Sequence, residues 1–370
     1  MTVLSARALN RATLARQLLL DRVDHPVLDT VGQLCGMQAQ EPQEPFVGLW
    51  SRVEGFDPSE LSELLLQRRV VRTHLMRRTV HLLTADDVIA WRSRHDSMLR
   101  QRVLGTYRQE LAGVDLEAMA AAGREVMSDG QPRTAAELVR AVNRPDLPNR
   151  PLAELLIAAL VPVVQAPPRG LWRGKGGVRN VLLTHWLGRE LAPPTDGEEL
   201  VLRYLKAFGP AATADIRAWS GLAGLPKAVK AVKPDLITFK DERGRELLDL
   251  PDAPRPDPDT PAPVRFLPSF DNALLGYDDR SRIVDDEHRN LSVAGERVVL
   301  VDGRVAATWT VVDEAVAVTP LRPFSRKEKV SVHEEADRLA DFLTRPGTPA
   351  AATEPERSGS ARTGPARRRR

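Results

Sequence analysis

Residues 199–250 read ELVLRYLKAFGPAATADIRAWSGLAGLPKAVKAVKPDLITFKDERGRELLDL, and this stretch decides the fold. Leu200, Val201, Tyr204, Leu205 and Phe208 fall at helical spacing. Thr213 then offers a cap for a second short helix through Trp219, and Leu225–Val232 makes a third after Gly221 and Gly224. Leu236–Lys240 and Glu246–Leu250 flank the turn-like Asp241-Glu-Arg-Gly-Arg245 and read as paired strands. Three helices followed by a hairpin describe a winged helix.

The same order is expected twice more, upstream. Thr134–Val142 and Pro151–Val164 read as helices, with Thr134 as a cap and Pro151 suited to a first turn. Trp172–Leu182, carrying Arg173-Gly-Lys-Gly-Gly-Val-Arg179, reads as their wing. Further upstream, Ser5–Leu20, Val27–Met37 and Pro58–Gln67 are helical, Val70–Leu83 is strand material, and Ala85–Leu111 is a joining helix. Downstream, six prolines in Pro251–Pro263 make a stiff connector. Val264–Leu267, Arg297–Val301, Arg304–Val312 and Ala315–Pro320 follow as strands, with Lys327–Leu343 as a closing helix. The expectation is an α+β chain of about three tandem winged-helix modules with a β-rich C-terminal domain. Its divisions are 1–112, 113–195, 196–250, the linker 251–263, the β-rich domain 264–343 and a basic tail 344–370.

The chain has 370 residues, 42% hydrophobic and 28% charged, with a formal charge of +3. The tail from Thr344 holds seven arginines against two glutamates, so it carries about +5 and the body about −2. A nucleic-acid surface must therefore be a local patch. The tail is rich in Pro, Ala, Thr, Ser and Gly, and is expected to be disordered. A single cysteine, Cys35, excludes a disulfide framework and suits a reducing compartment. Met1–Leu20 lacks the apolar core of a signal peptide, and no apolar run reaches the roughly 20 residues of a membrane span. The expected setting is the cytoplasm, in association with the nucleoid, without a membrane.

Gln38-Ala39-Gln40 precedes Pro42 and Pro45, which hold the backbone out of helix at Glu41 and Glu44. In an extended segment positions i and i+2 share a face, so the two amides can converge on one polar atom without adding charge. Val70–Leu83 alternates basic and apolar groups, so Arg72, His74 and Arg78 are expected on one side of a strand. Arg92, Arg94, Arg100, Arg102 and Arg108 extend a basic track along the next helix. The scattered histidines give no metal site, and Gly174-Lys-Gly-Gly177 lacks the strand-to-helix context of a phosphate-binding loop. No cofactor is expected. Asp271, Asn272, Asp278, Asp279 and Arg280 form either a buried ion-pair network at a domain junction or a loop facing the substrate.

Three segments in order, Met37-Gln-Ala-Gln-Glu-Pro42, Arg78-Thr-Val-His81 and Leu267-Pro-Ser-Phe-Asp-Asn-Ala-Leu-Leu-Gly-Tyr-Asp-Asp-Arg-Ser281, resemble the bacterial winged-helix DNA glycosylases of the AlkZ and YcaQ type. The resemblance covers roughly Leu4–Leu343. It implies a C-shaped arrangement around a DNA channel and excision of cationic N-alkylated purines such as N7-alkylguanine, with unhooking of interstrand crosslinks. Its hallmark, a Gln, an aliphatic residue, then Gln or Asp, maps onto Gln38, Ala39 and Gln40, and Gln40 places the chain nearer the AlkZ-like branch, tied to self-resistance in antibiotic producers. A cationic purine leaves as a neutral base, so Gln38 and Gln40 need only orient a water at C1′. The partner is then double-stranded DNA, met by a monomer, with Arg72, His74, Arg77, Arg78, His81, Arg173, Lys175, Arg179, Asn272 and Arg280 as DNA-binding residues. Arg173–Arg179 and Phe270–Arg282 are both candidates for the loop that enters the duplex. The competing reading is a non-catalytic winged-helix transcriptional regulator, against which stands the apolar composition of Pro151–Val164.

Overall fold

In the computed structural model, which describes residues 2–347, one topology occurs three times. After β1 (Val3–Leu4) and α1 (Ala6–Arg16), the first unit comprises α2 (Val27–Gln33), β2 (Met37–Gln38), α3 (Glu44–Trp50), α4 (Pro58–Leu66), β3 (Val70–His74) and β4 (Val80–Thr84). Its sheet runs β2-β4-β3, so the short leading strand pairs with the last strand of the hairpin. The long helix α5 (Ala85–Thr106) leads to α6 (Leu116–Met127), α7 (Ala135–Val142), α8 (Asn149–Leu155), β5 (Val163–Gln165) and β6 (Asn180–Leu182). There a bridge between Arg133 and Asn180 takes the place of the leading strand. Beyond α9 (Leu183–Leu187) come α10 (Glu198–Phe208), α11 (Thr213–Ser220), α12 (Leu225–Val232), β7 (Ile237–Asp241) and β8 (Glu246–Asp249). A bridge from Ala211 to Leu248 again pairs the leading position with the last strand, and β1 adds to β7 in parallel. Helix, strand, two helices and a hairpin in this pairing order is winged-helix topology.

The C-terminal part holds β9 (Arg265–Leu267), α13 (Asn272–Leu275), α14 (Leu291–Ala294), β10 (Val298–Val301), β11 (Arg304–Val312), β12 (Ala315–Pro320) and α15 (Arg326–Leu343). Its antiparallel sheet runs β12-β11-β10-β9. An aromatic cluster of Phe46, Trp50, Trp172 and Phe342 joins this part to the first unit. A second core runs through the other two units, where Tyr204 stacks on Phe208 and Trp219 packs tilted against both and edge-on to Trp91. Two buried bidentate ion pairs, Arg16 with Asp249 and Arg52 with Asp271, cross between distant segments. The proline-rich connector is held against α1, since Arg16 donates to Pro254 O and Arg11 to Thr260 O.

Several local expectations are corrected. The helix expected over Val27–Met37 stops at Gln33, because Cys35 and Gly36 take φ of 55° and 82° and turn the chain into β2. Pro45 does not keep Glu44 extended; it sits in the first turn of α3, where its missing N–H costs nothing. Thr213 is the first residue of α11 rather than its cap, and Asp215 closes that end by accepting from Ala212 N. The helix expected over Pro151–Val164 ends in a π-turn at Leu156–Leu160, and Val163–Gln165 is the strand that pairs with β6. Trp172–Leu182 is therefore mostly loop, with only its last three residues in a strand. Residues 348–370 of the basic tail lie outside the described residues.

Candidate active site on the first winged-helix unit

The segment Met37–Gln40 runs along the inner edge of β4. Met37 and Gln38 pair with Leu82 and His81, and Ala39 N donates to Val80 O at 2.8 Å. Strand pairing, rather than the prolines downstream, thus makes the motif extended. Gln38 is 8% exposed, whereas Gln40 is exposed to solvent. Gln40 Oε1 accepts from Val80 N at 3.3 Å, and Gln38 Oε1 accepts from Arg77 Nη2 at 2.9 Å. Neither amide nitrogen has a hydrogen-bond partner among the described residues.

The surrounding groups hold this segment from several directions. Arg72, expected on an exposed basic face, is 1% exposed and donates from Nη2 to Ala39 O at 2.9 Å. Burial, and then Arg169, pull its pKa down to about 10. Arg77 also turns inward: Nη1 donates to Trp219 O at 2.6 Å, and Nη2 lies 3.4 Å from His81 Nε2. Its pKa is likewise lowered to about 10, by burial and then by Arg280 and Arg102, so it stays charged near neutrality. His81 is 1% exposed and accompanies Gln38 across the pair; its Nδ1 lies 3.0 Å from Thr79 O. Burial and the Arg77 charge hold it neutral, with a pKa well below the usual histidine range. A proton on Nδ1, donated to Thr79 O, leaves Nε2 as the acceptor facing Arg77.

The C-terminal part supplies the floor. Asn272 Nδ2 donates to Leu34 O at 3.0 Å and to Gly36 O at 2.6 Å, gripping the turn that feeds β2. Asp271 pairs with Arg52 and caps α13 by accepting from Ala273 N. Glu44, the buried acid nearest the motif in sequence, is occupied by Arg297 and by Ser269 N at 2.7 Å. A small cavity of about 10 Å³ lies between Met37, Gln38, Pro45 and Pro268–Asn272.

The remaining expected DNA-binding residues are dispersed. His74 is half-buried at the end of β3, with its pKa lowered to about 4 by burial and then by Arg92 and Arg78. Arg78 faces Glu154 at 3.8 Å. Arg173 is tied to Leu343 O and its backbone N to Gln43 Oε1, whereas Lys175 has no partner among the described residues and Arg179 reaches Pro132 O at 3.2 Å. Arg280 donates to Ser292 Oγ at 2.6 Å, and its pKa is depressed by burial and then by Arg289. Asn272 is 7% exposed, with its amide nitrogen spent on the carbonyls of Leu34 and Gly36. Of the basic track expected on α5, Arg92 is buried against Asp96, Arg94 binds Thr195 O and Arg100 pairs with Glu117; Arg102 and Arg108 are exposed with no carboxylate partner among the described residues. Arg289 is a further exposed arginine that spacing alone did not single out.

The chain matches the family described as DNA glycosylase AlkZ-like across residues 31–342. It is 27% identical to an "Interstrand DNA cross-link repair glycosylase" of Streptomyces sahachiroi, over 88% of this chain and 93% of that protein. The solved structure of Streptomyces sahachiroi DNA glycosylase AlkZ superposes with a TM-score of 0.77 at 24% identity, covering 92% of this chain and 97% of that one, and shows the shared fold. With a family match that runs from within α2 to the last turn of α15, the chain belongs to the AlkZ-like DNA glycosylases.

Proposed function

We propose that this DNA glycosylase releases cationic N-alkylated purines, N7-alkylguanines above all, by directing a water at C1′ with Gln38 and Gln40. The observation that carries the reading is the state of the two amides. Each has its oxygen anchored, by Arg77 or Val80 N, and the NH2 of each has no partner among the described residues. The buried acid nearest to them in sequence, Glu44, is neutralised by Arg297. Such a site positions and hydrogen-bonds but does not protonate. An N7-alkylated purine needs no protonation, because it departs as a neutral base and leaves an oxocarbenium-like sugar. An undamaged purine does need it, so the same neutrality protects normal DNA.

The named activity of the Streptomyces sahachiroi relative supports extending the substrate range to interstrand crosslinks. A crosslinked base cannot be extruded into a closed pocket, and here Gln40 stands exposed at the strand end. The regulator reading is disfavoured because Leu152, Leu155, Leu156 and Ala158–Leu160 of the second unit are buried and cannot read a groove. The reading includes a monomer acting on the nucleoid and the domain divisions set out above. Among the described residues, no helix is long and apolar enough to cross a membrane.

The test is single-turnover release of N7-methylguanine from methylated DNA. Gln38→Ala and Gln40→Ala should each slow release about a hundredfold, the order expected when a reacting group loses its alignment. Release at the wild-type rate by both variants would remove the assignment.

A further inference from the structure

Arg77 is a partly buried guanidinium with no carboxylate in ion-pairing distance among the described residues. It spends its donors on a carbonyl, an imidazole nitrogen and one amide oxygen, those of Trp219, His81 and Gln38. We infer that Arg77 is a positioning residue that fixes Gln38 with its NH2 turned toward the DNA, so that Gln38 acts as a hydrogen-bond donor. This rests on the reading of Gln38 given above and adds the direction in which its amide works.

The geometry leaves Arg77 little freedom. It occupies the turn between β3 and β4 with φ of 56°, a left-handed conformation that a long side chain adopts only when its surroundings impose it. Gly221, at the C-terminal end of α11, lies against it: a Cβ there would come within 3.2 Å of Arg77 N and 3.3 Å of Arg77 Cα. The Trp219 carbonyl two residues earlier takes Nη1. The third unit therefore seats the wing tip of the first, and the wing tip holds Gln38. His81 keeps the arrangement electrically simple. Its Nε2 offers a lone pair to a permanently charged neighbour, and Arg77 in turn opposes its protonation.

The consequence for Gln38 is specific. An amide whose oxygen accepts from a guanidinium cannot rotate its NH2 into that place, because two donors would then face each other. The charge also polarises the amide and strengthens its remaining N–H groups as donors. Gln38 thus grips the oxygen of the attacking water through the water's lone pair, and any acceptor for the water's proton has to come from elsewhere.

The experiment is a double-mutant cycle read as single-turnover release of N7-methylguanine at saturating enzyme, with the Kd for undamaged duplex measured alongside. Arg77→Met and Gln38→Ala should each lower the rate by about a hundredfold, and the double variant should fall no further than Gln38→Ala alone. Arg77→Lys should restore part of the rate, since it keeps the charge and donors on a single nitrogen. The Kd should stay within about twofold, because a guanidinium turned inward makes no phosphate contact. Gln38→Glu keeps the shape and a partner for Arg77 but has no N–H, and should be as slow as Gln38→Ala. Additive losses, a wild-type rate for Arg77→Met, or a loss confined to Kd would overturn the role of Arg77; a wild-type rate for Gln38→Glu would overturn the donor direction. If Gln38→Ala itself were as fast as wild type, the assignment of Gln38 would fall first and this inference with it. Should Arg77→Met melt at a much lower temperature than wild type, Arg77→Lys and Gln38→Glu carry the decision.

Discussion

Gln40 differs from Gln38 in one respect that matters for chemistry: its oxygen is held only by a 3.3 Å contact to a backbone N–H, at an exposed position. A carbonyl oxygen has two lone pairs, so Gln40 is the better placed of the two to accept from the water. Gln40→Asp shortens the side chain by one methylene but restores an acceptor, and it should retain more activity on N7-methylguanine than Gln40→Ala. Equal rates for the two variants in a single-turnover assay would show that Gln40 contributes shape alone. The Gln38-Ala39-Gln40 motif stands out in the sequence because spacing and neutrality are local properties. The inward turn of Arg72 and Arg77 was not. Alternation along β3 assigns faces but not which face is covered, and here both are, so four of its five residues are buried. The partner that draws Arg77 in, Trp219, lies 142 residues away and leaves no mark near the wing.

Among the elements, the segment from Leu267 to Ser281 changes meaning most. It reads from sequence as either an ion-pair network or a substrate loop, and its first residues form a clamp: Asp271 on Arg52, Asn272 on the turn at Leu34–Gly36. Asp271→Ala leaves Arg52 charged and buried, and should cost about 3–5 kcal/mol in chemical denaturation. Asn272→Ala removes two bonds to buried carbonyls and should cost about 2 kcal/mol, with a loss of activity from a loosened β2. The hairpin and α5 also carry three histidines held neutral by burial, His74 and His95 with pKa values lowered to about 4 and His81 with one well below the usual histidine range. Below pH 6.5 the unfolded chain takes up protons at these positions while the folded one does not. Stability is therefore complete above pH 6.5 and declines as the pH falls toward 4, by at most about 1.4 kcal/mol per pH unit for each histidine. Denaturation at pH 5.5 and 7.5 checks this, and equal midpoints would contradict it. Catalysis should be insensitive to His81 between pH 6 and 8. The helix over Pro151–Val164 was placed by its apolar run, but a run of that kind fits helix, π-turn or buried strand equally, and only pairing with β6 decides.

At the scale of the whole molecule, the overall architecture could be read from sequence, because a winged helix is a local unit with its own periodicity and turns, and three copies announce themselves in series. How the copies lean on one another could not. Arg102, Lys175 and Arg289, three of the exposed cations without a carboxylate partner among the described residues, stand on three separate parts of the chain. If they line the DNA path, alanine at each should weaken binding to any sequence and lower the slope of log Kd against log salt by about one. An unchanged slope in a fluorescence titration would remove that residue from the path. The clamp on β2 has one more consequence, in the order of events during synthesis. Asn272 reaches back 238 residues to Leu34, and Arg52 pairs 219 residues ahead with Asp271. The ribosome therefore releases the residues of the candidate site well before the residues that tighten it. A nascent chain carries Gln38 and Gln40 more than two hundred residues before Asp271 and Asn272 can brace the turn that feeds β2.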